Sequence, residues 1–236
     1  MQCWYYRMSN IAIIPSAGSG SRFNSPIPKQ YVKVLGKELI VYTLQTFQDC
    51  NEIDEIIIPT TEDYIEFLTE LKIKYSLDKI SKIILGGNER QDSVNNGLKA
   101  RDFKSTDLII VHDAARPLLS QSLLETAINE AYKYDNIVVA LKARDTLITG
   151  NEVVENYLDR NLVYYAQTPQ IFRYSTLLSS YAEADKMNFK ATDESMLVRN
   201  AGFQVNIVEG DFLNFKVTQQ SDLIILEAIL SKGADF

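Results

Sequence analysis

The chain has 236 residues, with 24 Lys and Arg against 31 Asp and Glu, a formal charge of −7, and 46% hydrophobic and 23% charged side chains. Such a composition builds an ordinary folded domain with a sizeable core, and its acidity argues against non-specific nucleic-acid binding, which rests on clustered basic charge. Two cysteines and one histidine, His112, exclude a disulfide framework and a four-ligand Cys/His metal centre. No apolar run reaches the ~18 residues of a membrane span, so a cytoplasmic protein with neither membrane nor nucleic-acid partner is expected.

The first ten residues, which hold the only Trp, read as an N-terminal extension without a catalytic role, with Met8 as a second possible start. Residues 11–236 read as one domain. Ile11–Ile14 is a short buried strand ended by Pro15. Helical spacing follows over Leu39–Phe47, then a strand at Glu55–Ile58. A helix over Thr61–Tyr75 carries acids early and lysines late, as the helix dipole favours. The alternation continues through a strand at Lys82–Leu85, a helix at Gln91–Ala100, a continuous apolar strand at Asp107–Val111, a helix at Ser120–Tyr132 and a strand at Asn136–Leu141. This order predicts an α/β fold, Rossmann-like and doubly wound around a mostly parallel sheet.

The rhythm then breaks. Thr146–Thr149, a Gly150–Asn151 turn and Val153–Val154 read as a hairpin, with a further extended stretch at Leu162–Ala166. Together they suggest a protruding β-arm at about 145–166. Helices are expected again at Ser175–Lys186 and Thr192–Asn200, strands at Gln204–Val208 and Phe215–Val217, and a last helix at Ser221–Leu230.

Ligands of open α/β sheets bind beyond the carboxyl ends of the strands, so the residues there carry the functional signal. The first strand is followed by Pro15-Ser-Ala-Gly-Ser-Gly-Ser-Arg22 and then Pro28-Lys-Gln30. Glycines let successive amides approach a phosphate, and Arg22 and Lys29 add two cations suited to a triphosphate and its transition state. The segment matches neither the Walker loop nor the dinucleotide fingerprint, and a plain strand-to-helix turn is its bland alternative. Gly86-Gly-Asn-Glu-Arg-Gln-Asp-Ser93 follows the third strand, where the glycines could equally make a simple turn before a capped helix. His112-Asp-Ala-Ala-Arg-Pro117 follows the fourth. Asp113 suits a Mg²⁺ ion shared with substrate phosphates, and small Ala114 and Ala115 leave room for a sugar or base. The alternative is a turn-capping Asp113 with Arg116 as its ion pair. His112 reads as a packing residue.

In order and spacing, these motifs resemble the 2-C-methyl-D-erythritol 4-phosphate cytidylyltransferase family. The resemblance runs from about Ile11 to Ile229. It includes Arg144-Asp-Thr146, Asp159-Arg-Asn161, Gln167-Thr-Pro-Gln170, Thr192-Asp-Glu194 and Asn214-Phe-Lys-Val-Thr218. It implies joining of CTP to the sugar-alcohol phosphate with release of pyrophosphate. By that resemblance Arg22 and Lys29 stabilise the transition state, while Arg160 and Lys216 position the attacking phosphate. Ala17, Gly18, Ser19, Gly20, Gly87, Asn88, Ser93, Asp113 and Ala114 would bind CTP. Asp113, Arg116, Arg160, Thr168, Thr192 and Lys216 would bind the sugar phosphate. A divalent cation, Mg²⁺, would sit on Asp113, and a homodimer is implied, with the arm reaching the partner.

Some residues depart from the family pattern. Ser16 replaces the usual Ala, Asn88 stands where an acid is common, and Gln219-Gln-Ser-Asp222 opens the last helix in place of Thr-Pro-Glu-Asp. Asp211 could be a second metal ligand or a solvated loop acid. Two alternatives stay open at this point, a ribitol-5-phosphate cytidylyltransferase and a non-catalytic nucleotide-sensing domain. Arg90-Gln-Asp-Ser93 and Thr192-Asp-Glu194 favour methylerythritol phosphate over ribitol phosphate.

Overall fold

The unbroken apolar runs Ile11–Ile13 and Leu108–Val111 lie side by side in the sheet, because a strand covered on both faces has little solvent side to fill with polar residues. The computed structural model describes residues 8–18, 23 and 25–233. Residues 1–7 of the expected extension and Ser19, Gly20 and Arg22 of the glycine-rich segment lie outside them. In chain order the elements are β1 (Asn10–Ile13), β2 (Lys33–Val34), β3 (Lys37–Glu38), α1 (Leu39–Asp49), β4 (Glu55–Thr60), α2 (Ile65–Lys74), β5 (Ile80–Leu85), α3 (Arg90–Leu98), β6 (Leu108–Val111) and α4 (Gln121–Tyr134). There follow β7 (Ile137–Lys142), β8 (Leu147–Gly150), β9 (Val154–Leu158), β10 (Tyr164–Arg173), α5 (Tyr174–Met187), α6 (Glu194–Asn200), β11 (Asn206–Glu209) and α7 (Gln220–Leu230).

The main sheet has seven strands in the order β11-β7-β10-β6-β1-β4-β5, with β10 antiparallel to both neighbours and the other pairings parallel. Alternation along each strand divides the core. Ala12, Ile56, Ile58 and Ile110 face α1, α2 and α4, among Leu44, Phe47, Leu68 and Ile128. Ile11, Ile13, Ile57 and Ile109 face α3, α5 and α6, among Val94, Leu177, Tyr181 and Leu197. The sheet is therefore doubly wound, as the sequence order implies. A third cluster joins α7 to the residues beyond β6 through Leu226, Val217, Ala115 and Leu118.

Three features differ from the sequence expectation, the short hairpin β2–β3 being one that it did not include. Phe215–Val217 is not a strand. It lies past the sheet and is tied to the loop after β6 by the Val217 N–H, which donates to the Ala115 carbonyl at 2.8 Å. Of the extended stretch expected at Leu162–Ala166, Leu162 closes the 3-10 turn Arg160–Leu162, and Tyr164–Ala166 begin the ten-residue β10, which enters the middle of the main sheet. The hairpin β8–β9 pairs Leu147 with Leu158 as a separate two-stranded sheet, a protruding arm. It exposes Ile148, Val154, Tyr157 and Leu158. Among the described residues, no helix is long and apolar enough to cross a membrane.

Candidate active site

β1, β5 and β6 end on the same side of the sheet, and their trailing loops surround a cavity of about 500 Å³. The loop after β1 brings Pro15 to Gly18. The turn after β5 brings Gly87 and Asn88, and α3 brings Arg90 and Ser93. The loop after β6 brings Asp113, Ala114 and Ala115, while Lys29 and Lys216 approach from distant parts of the chain. Gly86 and Gly87 explain how these loops come so close. A Cβ on Gly86 would lie 2.6 Å from the Ala17 Cβ, and one on Gly87 would lie 2.2 Å from the Asp92 Cβ. The start of α3 is fixed by a reciprocal cap in which Glu89 and Asp92 each accept the other's backbone N–H. The Ser93 hydroxyl then receives the Gly87 N–H at 3.0 Å.

The glycine-rich loop has its own support. Gln30, buried in the short 3-10 turn Lys29–Tyr31, donates from its amide to the Ser16 carbonyl at 2.6 Å and the Gly18 carbonyl at 3.0 Å. The Tyr31 hydroxyl meets Thr60 Oγ1 at 2.7 Å and Ser16 Oγ at 3.1 Å. Burial, partly offset by these bonds, pushes its pKa up.

Asp113 is the electrostatic centre. Its Oδ1 accepts from Arg90 Nε at 3.0 Å, and its Oδ2 from Lys216 Nζ at 2.9 Å and Arg116 Nε at 3.3 Å. Burial alone would raise its pKa, but the three cations hold the carboxyl well below the ordinary carboxylate range. Arg90 also donates from Nη1 to both oxygens of buried Glu194 at 2.8 Å. Burial opposes its charge, yet the two carboxylates raise its pKa. His112 is wholly buried, and burial pushes its pKa down to about 3, so the ring is neutral. Its Nε2 lies 3.3 Å from the Arg116 carbonyl, which can only accept, so Nε2 carries the proton. Nδ1 then accepts from the Thr168 hydroxyl at 3.0 Å, while that oxygen receives the Asp113 N–H at 3.0 Å. His112 thus packs and orients.

The candidate residues therefore fall into groups. Ala17, Gly18, Lys29, Gly87, Asn88, Ser93, Asp113, Ala114 and Lys216 line one cavity. Arg116 and Thr168 stand behind it, each bonded to Asp113. Thr192 is exposed and outside the cavity lining, and Arg160, exposed beside the arm, donates to the Arg144 carbonyl at 3.1 Å. Asp211 caps its own loop by accepting the Leu213 N–H at 2.8 Å. Sequence reasoning gave no role to Arg90, Gln30 or Glu194. Arg90 did carry a signal, because a cation at the first position of a helix opposes the dipole and needs a reason to be there.

Known proteins match this chain along nearly its whole length. The family model described as 2-C-methyl-D-erythritol 4-phosphate cytidylyltransferase matches residues 10–232. The chain belongs to this family. A member from Clostridium botulinum (strain Loch Maree / Type A3) is 40% identical over 225 residues, covering 94% of this chain and 98% of the relative. One from Clostridioides difficile (strain 630) is 41% identical over 221 residues, covering 93% and 92%. The crystal structure of 4-diphosphocytidyl-2C-methyl-D-erythritol synthase from Anaerococcus prevotii DSM 20548 superimposes with a TM-score of 0.82 at 31% identity, covering 95% of this chain and 99% of that one. Cytidylyltransferases of this family are nucleotidyltransferases, and this chain has the fold and the length of its relatives.

Proposed function

We propose that the protein joins CTP and 2-C-methyl-D-erythritol 4-phosphate to give 4-diphosphocytidyl-2-C-methyl-D-erythritol and pyrophosphate, a step of isoprenoid precursor biosynthesis. The reading is carried by one arrangement within a member of this family. Lys29 and Lys216 border the same cavity, beside a loop and a turn of small residues that let a nucleotide approach the backbone. An oxygen of the sugar phosphate attacks the α-phosphorus of CTP. A P–O bond forms there, and the bond to the β-phosphate breaks with its electron pair leaving on pyrophosphate. The nucleophile is already an oxyanion, so no base has to remove a proton. Neutral, buried His112 is consistent with that. Catalysis then rests on positioning and charge. Lys29 and Arg22 are assigned to the charge developing on the phosphates, Lys216 and Arg160 to the attacking phosphate, and the loop residues with Ser93 and Ala114 to the nucleotide.

A divalent cation, Mg²⁺, is part of this reading. Among the described residues, no cluster of three or more His, Cys, Asp or Glu side chains could hold a metal alone. Asp113 Oδ1 accepts from Arg90 Nε and has a second lone pair. One such carboxylate fits an ion that takes its other oxygens from phosphates and water, and the ion would neutralise phosphate charge. CTP is a cytoplasmic metabolite, which supports a cytoplasmic location. The exposed apolar side chains of the arm support a homodimer.

The test is pyrophosphate release from CTP with methylerythritol phosphate, run beside ribitol 5-phosphate and beside ATP, GTP and UTP. Turnover with CTP and methylerythritol phosphate well above every other pair is expected. Equal or faster turnover with ribitol phosphate would move the assignment to that substrate, and no turnover with either would refute it.

A further inference from the structure

Glu194 has no part in the reading above, yet its position is unusual for a charge. It is 1% exposed, lies outside the cavity lining, and has both oxygens engaged by Arg90 Nη1, with the Tyr181 hydroxyl donating to Oε1 at 3.3 Å. A buried ion pair of this kind is a poor device for stability, since apolar groups of similar volume often do as well or better. It is an effective device for geometry. Arg90 reaches from Glu194 on α6 to Asp113 beyond β6 and takes Oδ1. Arg116 and Lys216 share Oδ2. The orientation of the Asp113 carboxylate, and with it the seat of the Lys216 ammonium, depends on where the guanidinium is held.

We propose that Glu194 is a positioning residue: through Arg90 it fixes Asp113, and through Asp113 it fixes the Lys216 ammonium at the sugar-phosphate end of the cavity. The inference rests on the cytidylyl-transfer reading. It also predicts an asymmetry. The nucleotide-side turn is held separately, by the Glu89–Asp92 cap and by Ser93 on the Gly87 N–H. Asp113 and the ion it would hold also meet the nucleotide, so loosening Glu194 should disturb the sugar phosphate most and CTP less.

The experiment is steady-state kinetics of Glu194→Gln, Glu194→Asp and Tyr181→Phe with each substrate varied in turn, alongside thermal melts. Misplacement of a reacting group by about 1 Å costs roughly 100-fold. Glu194→Gln should accordingly lose about 10–100-fold in kcat/KM for methylerythritol phosphate, with a clearly smaller rise in the KM for CTP. Glu194→Asp, which keeps the charge, should recover part of the loss, and Tyr181→Phe should lose less in the same direction. Equal losses for both substrates that follow the fall in melting temperature would mean a structural role only and overturn the proposal. Unchanged sugar-phosphate kinetics in a folded Glu194→Gln would also overturn it. Tyr181→Phe removes a single oxygen and decides the matter if Glu194→Gln does not fold. Wild-type turnover with the same substrates tests the functional reading, so the two failures are told apart.

Discussion

The Lys29 ammonium donates to the Val217 carbonyl at 2.6 Å, across 188 residues of chain. This bond joins the turn below the glycine-rich loop to the segment that carries Lys216 and Thr218 into the cavity. The segment is pinned in turn by Asp222, whose Oδ2 accepts from the Thr218 N–H at 2.7 Å, the Thr218 hydroxyl at 2.9 Å and the Gln219 N–H at 3.0 Å. Two of the cations proposed to act on phosphate are thus held by one connected loop.

Lys29→Ala is expected to lower kcat about 10²–10³-fold, the usual cost of removing one preorganised electrostatic contact to a developing charge. Loss of the bond to Val217 should have only a small effect on the unfolding midpoint. Single-turnover rates with both substrates saturating give the check, and near-normal turnover would remove Lys29 from the chemistry.

Much of this was legible in the sequence, and the gaps have physical causes. β1 and β6 declare themselves through the continuous apolar runs Ile11–Ile13 and Leu108–Val111, the usual pattern of a strand covered on both faces. β10 hid because it carries Gln167, Thr168 and Gln170 into a buried position, and polar residues read as loop. Each is satisfied by a partner distant in sequence. Gln167 donates to the Asp211 carbonyl at 2.8 Å and accepts from Asn214, while Gln170 donates to Asp193 at 2.9 Å and accepts the Ser195 N–H at 2.8 Å. Pro169 has no N–H, and the ladder to β7 is interrupted between Ala166 and Gln170. The β2–β3 hairpin hid for another reason. Its turn places Leu35 at φ +49° and Gly36 at φ +83°, and a leucine there gives no turn signal. At the site, glycines and isolated cations could be read from order alone. The Arg90–Asp113–Lys216 assembly could not, because its members are brought together only where the start of α3 meets two loops distant in sequence.

Asp113→Asn should destabilise the fold as well as slow it. The substitution leaves Arg90, Arg116 and Lys216 around a neutral group, and breaking a buried ion pair costs about 3–5 kcal/mol. Lys216 is a third exposed and contributes least to that figure. Chemical denaturation reads the loss directly, and a midpoint matching wild type would show that the cations are solvated rather than paired. The variant should also need more Mg²⁺ for half-maximal turnover. An unchanged requirement would place the ligand elsewhere.

His112 gives the fold a pH dependence whose sign is fixed. Burial lowers its pKa from 6.5 to about 3, so between those values the unfolded chain binds a proton that the folded chain does not. Stability from this group is fully present above pH 6.5 and is lost as pH falls toward 3, at about 1.4 kcal/mol per pH unit. His112→Gln should be less stable at pH 7, and the gap to wild type should narrow by about half that amount from pH 7 to 6 and by nearly all of it from pH 6 to 5. Urea denaturation of both proteins at pH 7, 6 and 5 measures it. A constant gap would mean that the imidazole is protonated in the folded state.

Among the described residues, Arg160 is the proposed catalytic cation that stands apart from the cavity. It is exposed in the turn that follows β9, outside the lining that contains Lys29 and Lys216. The arm beside it forms a separate two-stranded sheet, and such a hairpin is marginal in water unless it packs against something. Val154 and Tyr157 on that arm are exposed at 52% and 72%, side chains that a second copy of the chain would cover. If Arg160 completes the partner's site, Lys29→Ala and Arg160→Ala lie in different sites of a mixed dimer. One site then carries both substitutions and the other carries neither. Mixing the two inactive homodimers and allowing exchange should restore activity toward one quarter of wild type, since half of the dimers are mixed and each has one intact site of two. Sedimentation and mass analysis confirm the exchange. A monomeric wild-type protein, or no recovery after proven exchange, would place Arg160 in its own subunit's site or outside the reaction.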